Sequence, residues 1–317
     1  MELLRYTTMK ILYTLPILFG VTFLSFLLMV YFGSDTVYSL LGKNATLSDV
    51  DELRKQLGYD LGFFKRYLQY LKELFTFDFG RSTLNYEKVS DIFKASIPIS
   101  LALNLPGFII GNLLAIILSL YAALNRGLFV DKVILFFSSV GMSTSFIMVI
   151  LGLQYLLCTS SGWNLFPVHG WNVTSFSSYV EHVFVPSLAS IFVSLGYNTR
   201  FFRAVVVEEL KKPYVKTCLS LGYPRLRMMG KWVLKNTLIP MSTRIVFSIP
   251  FIFVEGSLLL ESFFGIPGMG LVLYDALVSG DLPILKAIVG LGTVIYIFVL
   301  VIADIFYKFL DPRVTLS

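Results

Sequence analysis

Charged residues are scarce in this sequence of 317 amino acids. Only 15% of the residues are Asp, Glu, Lys or Arg, whereas 56% are hydrophobic. A soluble globular domain usually has about 25% charged residues, so this composition excludes an ordinary soluble domain and predicts a protein embedded in lipid. The net charge of +6 does not indicate a nucleic-acid partner, because the basic residues are concentrated in short segments between apolar runs.

Cysteine and histidine are also rare. Cys158 and Cys218 are far apart and form no CxxC pattern or disulfide framework, so they give no information about the redox compartment. His169 and His182 lie in one loop without the further ligands that a metal site needs. We therefore expect this chain to bind no metal and no cofactor of its own.

The sequence has no phosphate-binding loop. Gly230 and Lys231 are followed by Trp232, where such a loop needs a magnesium-binding hydroxyl, and no correctly spaced glycine precedes them. No serine or cysteine stands in a nucleophile motif. We therefore expect a non-catalytic chain that obtains its energy from elsewhere.

Six apolar stretches are long enough to cross a membrane, because a bilayer core about 30 Å thick needs roughly 20 helical residues. They predict an all-α integral membrane protein in which residues 1–317 form a single transmembrane domain. The first stretch is longer than the apolar region of a signal peptide and no clear cleavage site follows it, so we expect a retained helix. The predicted spans are 11–32, 98–124, 133–158, 183–203, 238–260 and 284–307.

The positions of Lys and Arg predict the orientation of these spans. The loop segments 159–182 and 261–283 contain neither residue, so we place them outside. Both termini are then expected to be cytosolic. The segments placed inside, which all contain Lys or Arg, are 1–10, 125–132, 204–237 and 308–317.

The long outer loop, 34–97, is expected to contain helices of its own. Ser48 suits the start of a short helix that Gly58 ends. Apolar residues recur at helical spacing from Phe64 to Phe75, with basic and acidic residues between them. Such an amphipathic helix lies along the outer membrane face or packs on its own protein, and the sequence leaves both open.

The cytosolic loop 204–237 contains a second short amphipathic helix. Pro213 suits its first turn, and Gly222, followed by Tyr223 and Pro224, ends it. Tyr214, Cys218 and Leu221 recur at i, i+4 and i+7 and form an apolar stripe. Such a helix has the shape of a lever that docks in a groove of a partner. The alternative is that the basic residues of this loop only fix the topology.

The same loop reads Pro213–Cys218, then Gly222, then a basic stretch and Asn236–Pro240. It resembles the loop D-Y-(V/I)-R-T-A-x-x-x-G … N-x-L-x-P of permease subunits in the peptide, opine and nickel branch of binding-protein-dependent ABC importers. This chain departs from the pattern by having Lys216 in place of arginine and Cys218 in place of alanine. Both changes roughly keep size or charge.

Further motifs extend the resemblance along the whole chain. The motifs L-G-L-D, G-D-L-G-R-S and E-x-x-F-x-x-P-G-x-G of that family, and two shorter ones, have counterparts here in the same order. These counterparts are Leu57–Asp60, Asp78–Ser82, Glu261–Gly270, Asp281–Pro283 and Asp311–Val314. The resemblance implies a type I ABC importer permease (MetI-like) fold in a bacterial or archaeal cytoplasmic membrane.

The resemblance also implies partners and site residues. The long outer loop and short N-terminal segment resemble the B-type permease. This implies a heterodimer with a second, related permease, two ATPase subunits that bind ATP and Mg²⁺, and an extracytoplasmic solute-binding protein. Segment 213–222 is then the coupling helix that fits into an ATPase. The implied coupling residues are Tyr214, Val215, Lys216, Thr217, Cys218, Leu221 and Gly222.

Several residues are candidates for the pathway or its outer gate. Glu255 is an acid within the fifth span, where an ionisable group is a functional candidate. It faces the pathway or the partner permease, or it is hydrated near the outer interface. The turn Phe264–Gly270 is an implied gate or binding-protein platform, or a simple turn between helices. The candidates are Glu255, Glu261, Pro267, Gly268 and Gly270.

The expected solute is a di- or oligopeptide, and import of nickel or metallophore chelates by the same machinery is the alternative. An ion-coupled secondary transporter would need coupling-ion sites and usually an inverted repeat, and the sequence shows no convincing repeat. A membrane scaffold without a transport role is a third possibility. The order of the five motifs favours the importer.

Overall fold

The computed structural model describes residues 2–32, 61–250, 252 and 258–310. Within these ranges the chain is helical, and the only extended pairing is an isolated bridge between Arg81 and Lys88. The prediction of an all-α membrane protein is confirmed. The predicted helix after Ser48, the motifs Leu57–Asp60 and Asp311–Val314, and Glu255 lie outside the described residues.

The described helices are numbered here in chain order. Helix α8 continues through a π-helical turn, Met229–Val233, into α9. The helices are α1 (Glu2–Phe32), α2 (Phe63–Thr76), α3 (Val89–Leu124), α4 (Phe129–Ser143), α5 (Phe146–Cys158), α6 (Phe176–Glu209), α7 (Pro213–Ser220), α8 (Arg225–Met228), α9 (Leu234–Pro250), α10 (Leu258–Phe264), α11 (Met269–Ser279) and α12 (Leu282–Leu310).

Four of these helices, α1, α3, α6 and α12, are long and apolar enough to cross a membrane on their own. The pairs α4–α5 and α10–α11 also pass this test if each bent pair is counted as one span, which gives up to six spans among the described residues. The predicted fifth span, 238–260, covers most of α9 and the start of α10. The bent pair α10–α11 instead covers Leu258–Ser279, most of which was predicted to be an outer segment.

The predicted third span, 133–158, is divided into α4 and α5 by a 99° bend. Thr144 and Ser145 have extended backbone angles at this bend, and Ser and Thr are weak helix formers. Gly196 of α6 packs against the end of α4, because a Cβ added to Gly196 would be 2.6 Å from the Met142 nitrogen. The bend therefore lies where two helices approach closely.

Helices α3 and α6 form the central pair of the bundle. Gly107 and Gly111 of α3 face the serines of α6, and a Cβ on Gly107 would be 3.2 Å from the Ser190 Cβ. Small residues at such a crossing allow two helix backbones to approach closely. At 1.5 Å per residue, each of these helices is about 50 Å long, so their ends project beyond a core about 30 Å thick. The helix that contains the second span begins at Val89 rather than at residue 98.

Helix α2 is the amphipathic helix predicted in the outer loop. One face packs on its own protein: Tyr70 stacks on Phe26 of α1 at 5.5 Å between ring centroids, and its hydroxyl donates to the Lys286 carbonyl at 3.1 Å. The opposite face leaves Phe64 and Leu68 exposed. Packing on its own protein therefore accounts for one face of α2, and contact with the membrane stays open for the other.

Candidate functional site

Helix α7 is the predicted coupling helix. It begins with Pro213 at its first position and ends at Ser220. Gly222 follows with φ of +78°, a conformation that glycine adopts without steric cost. The Tyr223 N–H then donates to the Cys218 carbonyl at 3.1 Å, which closes the helix end in the usual way. The helix is thus two residues shorter than the predicted 213–222.

The buried face of α7 differs in part from the predicted stripe. Val215 is buried, and Tyr214 and Cys218 are partly buried in the same cluster. Leu221, which was predicted to extend this stripe, is 71% exposed because the chain leaves the helix before it. Lys216 and Thr217 are exposed as well. The helix therefore packs on the bundle through Tyr214, Val215 and Cys218.

A patch of exposed apolar side chains surrounds the end of α7, and we name it the tip surface. Leu221 and Leu226 are 71% and 76% exposed. Exposed apolar side chains in a segment predicted to lie outside the membrane are candidates for an interaction site. The tip surface consists of Leu219, Leu221, Tyr223 and Leu226.

Glu209, at the end of α6, fixes α7 to the bundle. Its Oε1 accepts hydrogen bonds from the Tyr214 hydroxyl at 2.8 Å and from Asn236 Nδ2 at 3.0 Å. Its Oε2 lies 2.7 Å from Lys212 Nζ. One buried carboxylate thus joins α6, α7 and α9. Glu209 was not predicted as a site residue, because its partners are 3 to 27 residues away along the chain.

An ion pair with a buried carboxylate joins the first turn of α4 to α6. Arg203 donates to both carboxylate oxygens of Asp131 at 2.6 Å, and the Gly127 N–H donates to Asp131 Oδ2 at 2.9 Å. The paired, bidentate geometry is the strongest form of this contact. The segments 125–132 and 204–237, both predicted to be cytosolic, are therefore attached to the same end of α6.

Four of the five predicted gate residues lie at the opposite end of the bundle, in the break between α10 and α11 and in the helical turns on either side of it. The helix axis bends by 89° there. Glu261 is completely buried, and its Oε2 accepts from the Gly270 N–H at 2.6 Å. Gly268 has no room for a side chain, because an added Cβ would overlap the Glu261 carboxylate. The described members of the set are Glu261, Pro267, Gly268 and Gly270.

The Glu261 carboxylate acts as the N-terminal cap of α11. Ser100 Oγ donates to Glu261 Oε1 at 2.7 Å and accepts from the Met269 N–H at 2.6 Å. The first N–H groups of a helix have no partner within the helix, and an acid close to them is favourable. Glu261 and Ser100 therefore attach the turn to α3. No pathway role is needed to explain the burial of Glu261.

Two of the motifs that carry the resemblance contact each other near this end. Ser82 Oγ donates to Asp281 Oδ2 at 2.5 Å, and the Thr83 N–H donates to the same oxygen at 3.1 Å. Asp281 is completely buried and lies just before α12. The turn at residues 78–82 is thus fixed to the start of the last span.

A cavity of about 570 Å³ with a mainly apolar lining and a few polar groups lies between α3, α6 and α9. Arg244 of α9 donates from Nε to Asn198 Oδ1 at 2.8 Å, and Asn198 Nδ2 donates to Asn112 Oδ1 at 3.1 Å. Arg244, like Glu255, is an ionisable group within the predicted fifth span and therefore a functional candidate, although only Glu255 was predicted as one.

Two family matches cover most of the chain. Residues 115–316 match the family described as binding-protein-dependent transport system inner membrane component. Residues 3–104 match the N-terminal region described for membrane components of the same transport systems.

Relatives of this chain are named as permease proteins of peptide transport systems. A putative peptide transport system permease protein of Brucella abortus is 28% identical over 305 residues, 95% of each chain. The oligopeptide transport system permease protein AppB of Bacillus subtilis is 27% identical over 314 residues, 98% of each chain. The dipeptide transport system permease protein DppB of Lactococcus lactis is 28% identical over 273 residues, 86% of this chain and 87% of its own.

These matches agree with the apolar helices in placing the chain in the cytoplasmic membrane as a multi-pass transport component. The larger match alone spans more than half of the chain. This chain belongs to the family of binding-protein-dependent transport system inner membrane components.

Proposed function

We propose that this chain is one of two related permease subunits of an ATP-driven importer for di- or oligopeptides. The relatives' names supply the solute class. The observation that carries the coupling role is the geometry of α7, a short helix fixed to α6 and α9 through Glu209, with the apolar tip surface exposed beside it. A rigid lever with an exposed apolar end is suited to transmit the motion of a partner.

Two ATPase subunits, which bind ATP and Mg²⁺, are the proposed partners of the tip surface. Their closure on ATP binding moves α7, and Glu209 transfers this motion to α6 and α9. The bundle then changes from an inward-facing to an outward-facing state. An extracytoplasmic binding protein delivers the peptide, hydrolysis resets the complex, and this chain catalyses no step itself. The turn around Glu261 and Gly268, anchored to α3, is placed at the outer mouth.

The proposal is tested with the complete complex in proteoliposomes that contain ATP. Uptake of a labelled tripeptide, delivered by the loaded binding protein, is expected with ATP and not with ADP. The double variant Leu221→Asp and Leu226→Asp places two charges on the tip surface and is expected to lower uptake at least about tenfold, because each buried charge costs several kcal/mol.

The matched control is Leu128→Asp. Leu128 is exposed in the other predicted cytosolic loop, at the N-cap of α4, where Asp is a favoured residue. Uptake by this control is expected to stay within about twofold of wild type. Peptide uptake that follows an ion gradient and continues without ATP would reject the proposed function.

A further inference from the structure

The cavity between α3, α6 and α9 contains a cation at membrane depth. In the predicted spans 98–124, 183–203 and 238–260, Asn112, Asn198 and Arg244 lie about 18, 8 and 9 Å from the span ends nearest α7, at 1.5 Å per residue. These depths are within a hydrocarbon core about 30 Å thick. A charge at such a depth is costly and usually marks a solute or ion pathway.

Neutral groups hold the guanidinium in place. Asn198 Oδ1 accepts from Arg244 Nε, while Asn198 Nδ2 donates to both Asn112 Oδ1 and Ser194 Oγ at 3.1 Å. Asn112 Nδ2 in turn donates to the Phe108 carbonyl at 2.9 Å. These bonds fix the orientation of both amides, so that an oxygen faces Arg244.

The charge of Arg244 is not neutralised by a carboxylate within the described part of the chain. Its described contacts are the Asn198 amide and the ring of Phe201, whose centroid lies 4.9 Å from the guanidinium carbon. The side chain is exposed to the cavity, and Nη1 and Nη2 donate to no described group. These two nitrogens form the planar fork that binds a carboxylate through two parallel hydrogen bonds.

The remaining lining of the cavity suits an amphipathic solute. Phe108, Phe201 and Phe247 contribute aromatic surface, and Thr243 and Ser248 contribute hydroxyl groups. A volume of about 570 Å³ is within the range of small-molecule sites. The cavity thus combines one cation with apolar surface and a few polar groups.

From this arrangement we infer that Arg244, oriented by Asn198, binds the terminal carboxylate of the peptide during its passage through the membrane. This inference rests on the proposed function and assigns to this chain a contact with the solute. Asn198 is a positioning residue, because it acts through Arg244.

The test is import by the complete complex in proteoliposomes, at saturating concentrations of loaded binding protein. Arg244→Gln keeps polarity but removes the charged fork, and is expected to lower the maximal import rate of a tripeptide about tenfold or more, since hydrogen bonds to a charged group are stronger than those between neutral groups. Arg244→Lys keeps the charge and is expected to recover part of the rate.

The matched control is Arg200→Gln, which removes an exposed arginine of α6 that donates to Ser139 and does not line the cavity. Its import rate is expected to stay within about twofold of wild type. A second arm uses the C-terminal amide of the same tripeptide, for which Arg244→Gln is expected to change import less than twofold. Loading of the binding protein with each peptide is measured first by calorimetry.

Three results would overturn the carboxylate site while leaving peptide import intact. These are an Arg244→Gln rate within twofold of wild type, equal losses for the peptide and its amide, and loss of the second permease from the purified Arg244→Gln complex. The last would show that Arg244 holds the subunit interface. If the binding protein does not bind the amide, the carboxylate site is tested by the import rates of the unmodified tripeptide alone. The variants compared are then Arg244→Gln, Arg244→Lys and Arg200→Gln. No peptide import by wild type would instead reject the proposed function.

Discussion

The Tyr214 hydroxyl donates a 2.8 Å hydrogen bond to Glu209, which joins the first turn of α7 to the last residue of α6. Burial and this bond raise the pKa of Tyr214 to about 12, so the hydroxyl stays protonated at physiological pH and remains a donor. The same carboxylate binds Asn236 and Lys212. One side chain therefore joins α7 to both α6 and α9.

Glu209→Ala is expected to weaken coupling. The change leaves the Tyr214 hydroxyl and the Asn236 amide without their acceptor, at a cost of about 1–3 kcal/mol. We expect a lower rate of peptide uptake and a loss of ATPase stimulation by the loaded binding protein, both measured in proteoliposomes.

The control for this variant is Glu208→Ala. Glu208 is the adjacent acid, and its ion pair with Lys211 is exposed on both sides, so it contributes little. Equal effects of Glu208→Ala and Glu209→Ala on stimulated ATPase activity would contradict the coupling role of Glu209.

Gly268→Ala is expected to destabilise the turn before α11. The added Cβ would overlap the Glu261 carboxylate and lie 2.5 Å from Ser100 Oγ, and overpacking of this kind costs about 1–3 kcal/mol. Gly152→Ala is the control, because its Cβ would meet no atom within 4 Å and alanine favours a helix. We expect a lower melting temperature in detergent only for Gly268→Ala. An unchanged melting temperature would disprove the tight packing at Gly268.

Asp131→Asn is expected to destabilise the end of the bundle near α7. It removes the charge that pairs with Arg203, and breaking a buried ion pair from one side costs about 3–5 kcal/mol. Lys94→Ala breaks the exposed pair with Asp91 and serves as the control. Thermal unfolding of the purified chain measures both. Equal melting temperatures would show that the Asp131–Arg203 pair contributes no stability.

Cysteine labelling tests the predicted orientation. In a background where both native cysteines are replaced by alanine, Trp163→Cys and Leu226→Cys each place a thiol at an exposed position. We expect an impermeant maleimide to label Trp163→Cys on intact cells and Leu226→Cys only after permeabilisation, because basic loops stay in the cytosol. The reverse labelling pattern would show that the orientation in the membrane is opposite to the predicted one.

Local signals in the sequence predicted much of this fold. Long apolar runs identify α1, α3, α6 and α12, and Pro213 and Gly222 bound α7 because each residue has its own backbone preference. The bend at Thr144 was not predicted, since apolar composition alone does not encode a helix break. The exposure of Leu221 was missed because the helix ends one residue before it.

The site was less predictable than the fold. Glu209 has no local signal, because its role comes from Asn236, 27 residues away. Arg244 carries a signal in the sequence, a charge within an apolar span, but its partners on α3 and α6 appear only after folding. Glu261 was predicted as a gate residue, and its position is explained by the capping of α11.

Affinity purification of this chain from its native membrane in mild detergent, followed by mass spectrometry, tests the central claim most directly. We predict that one or two ATPases with Walker motifs and a second, related six-span permease are recovered with it. Recovery is expected to depend on the tip surface, so that the Leu221→Asp and Leu226→Asp double variant loses the ATPases while Leu128→Asp retains them. Recovery of the chain alone or as a homodimer, without any ATPase, would contradict the account.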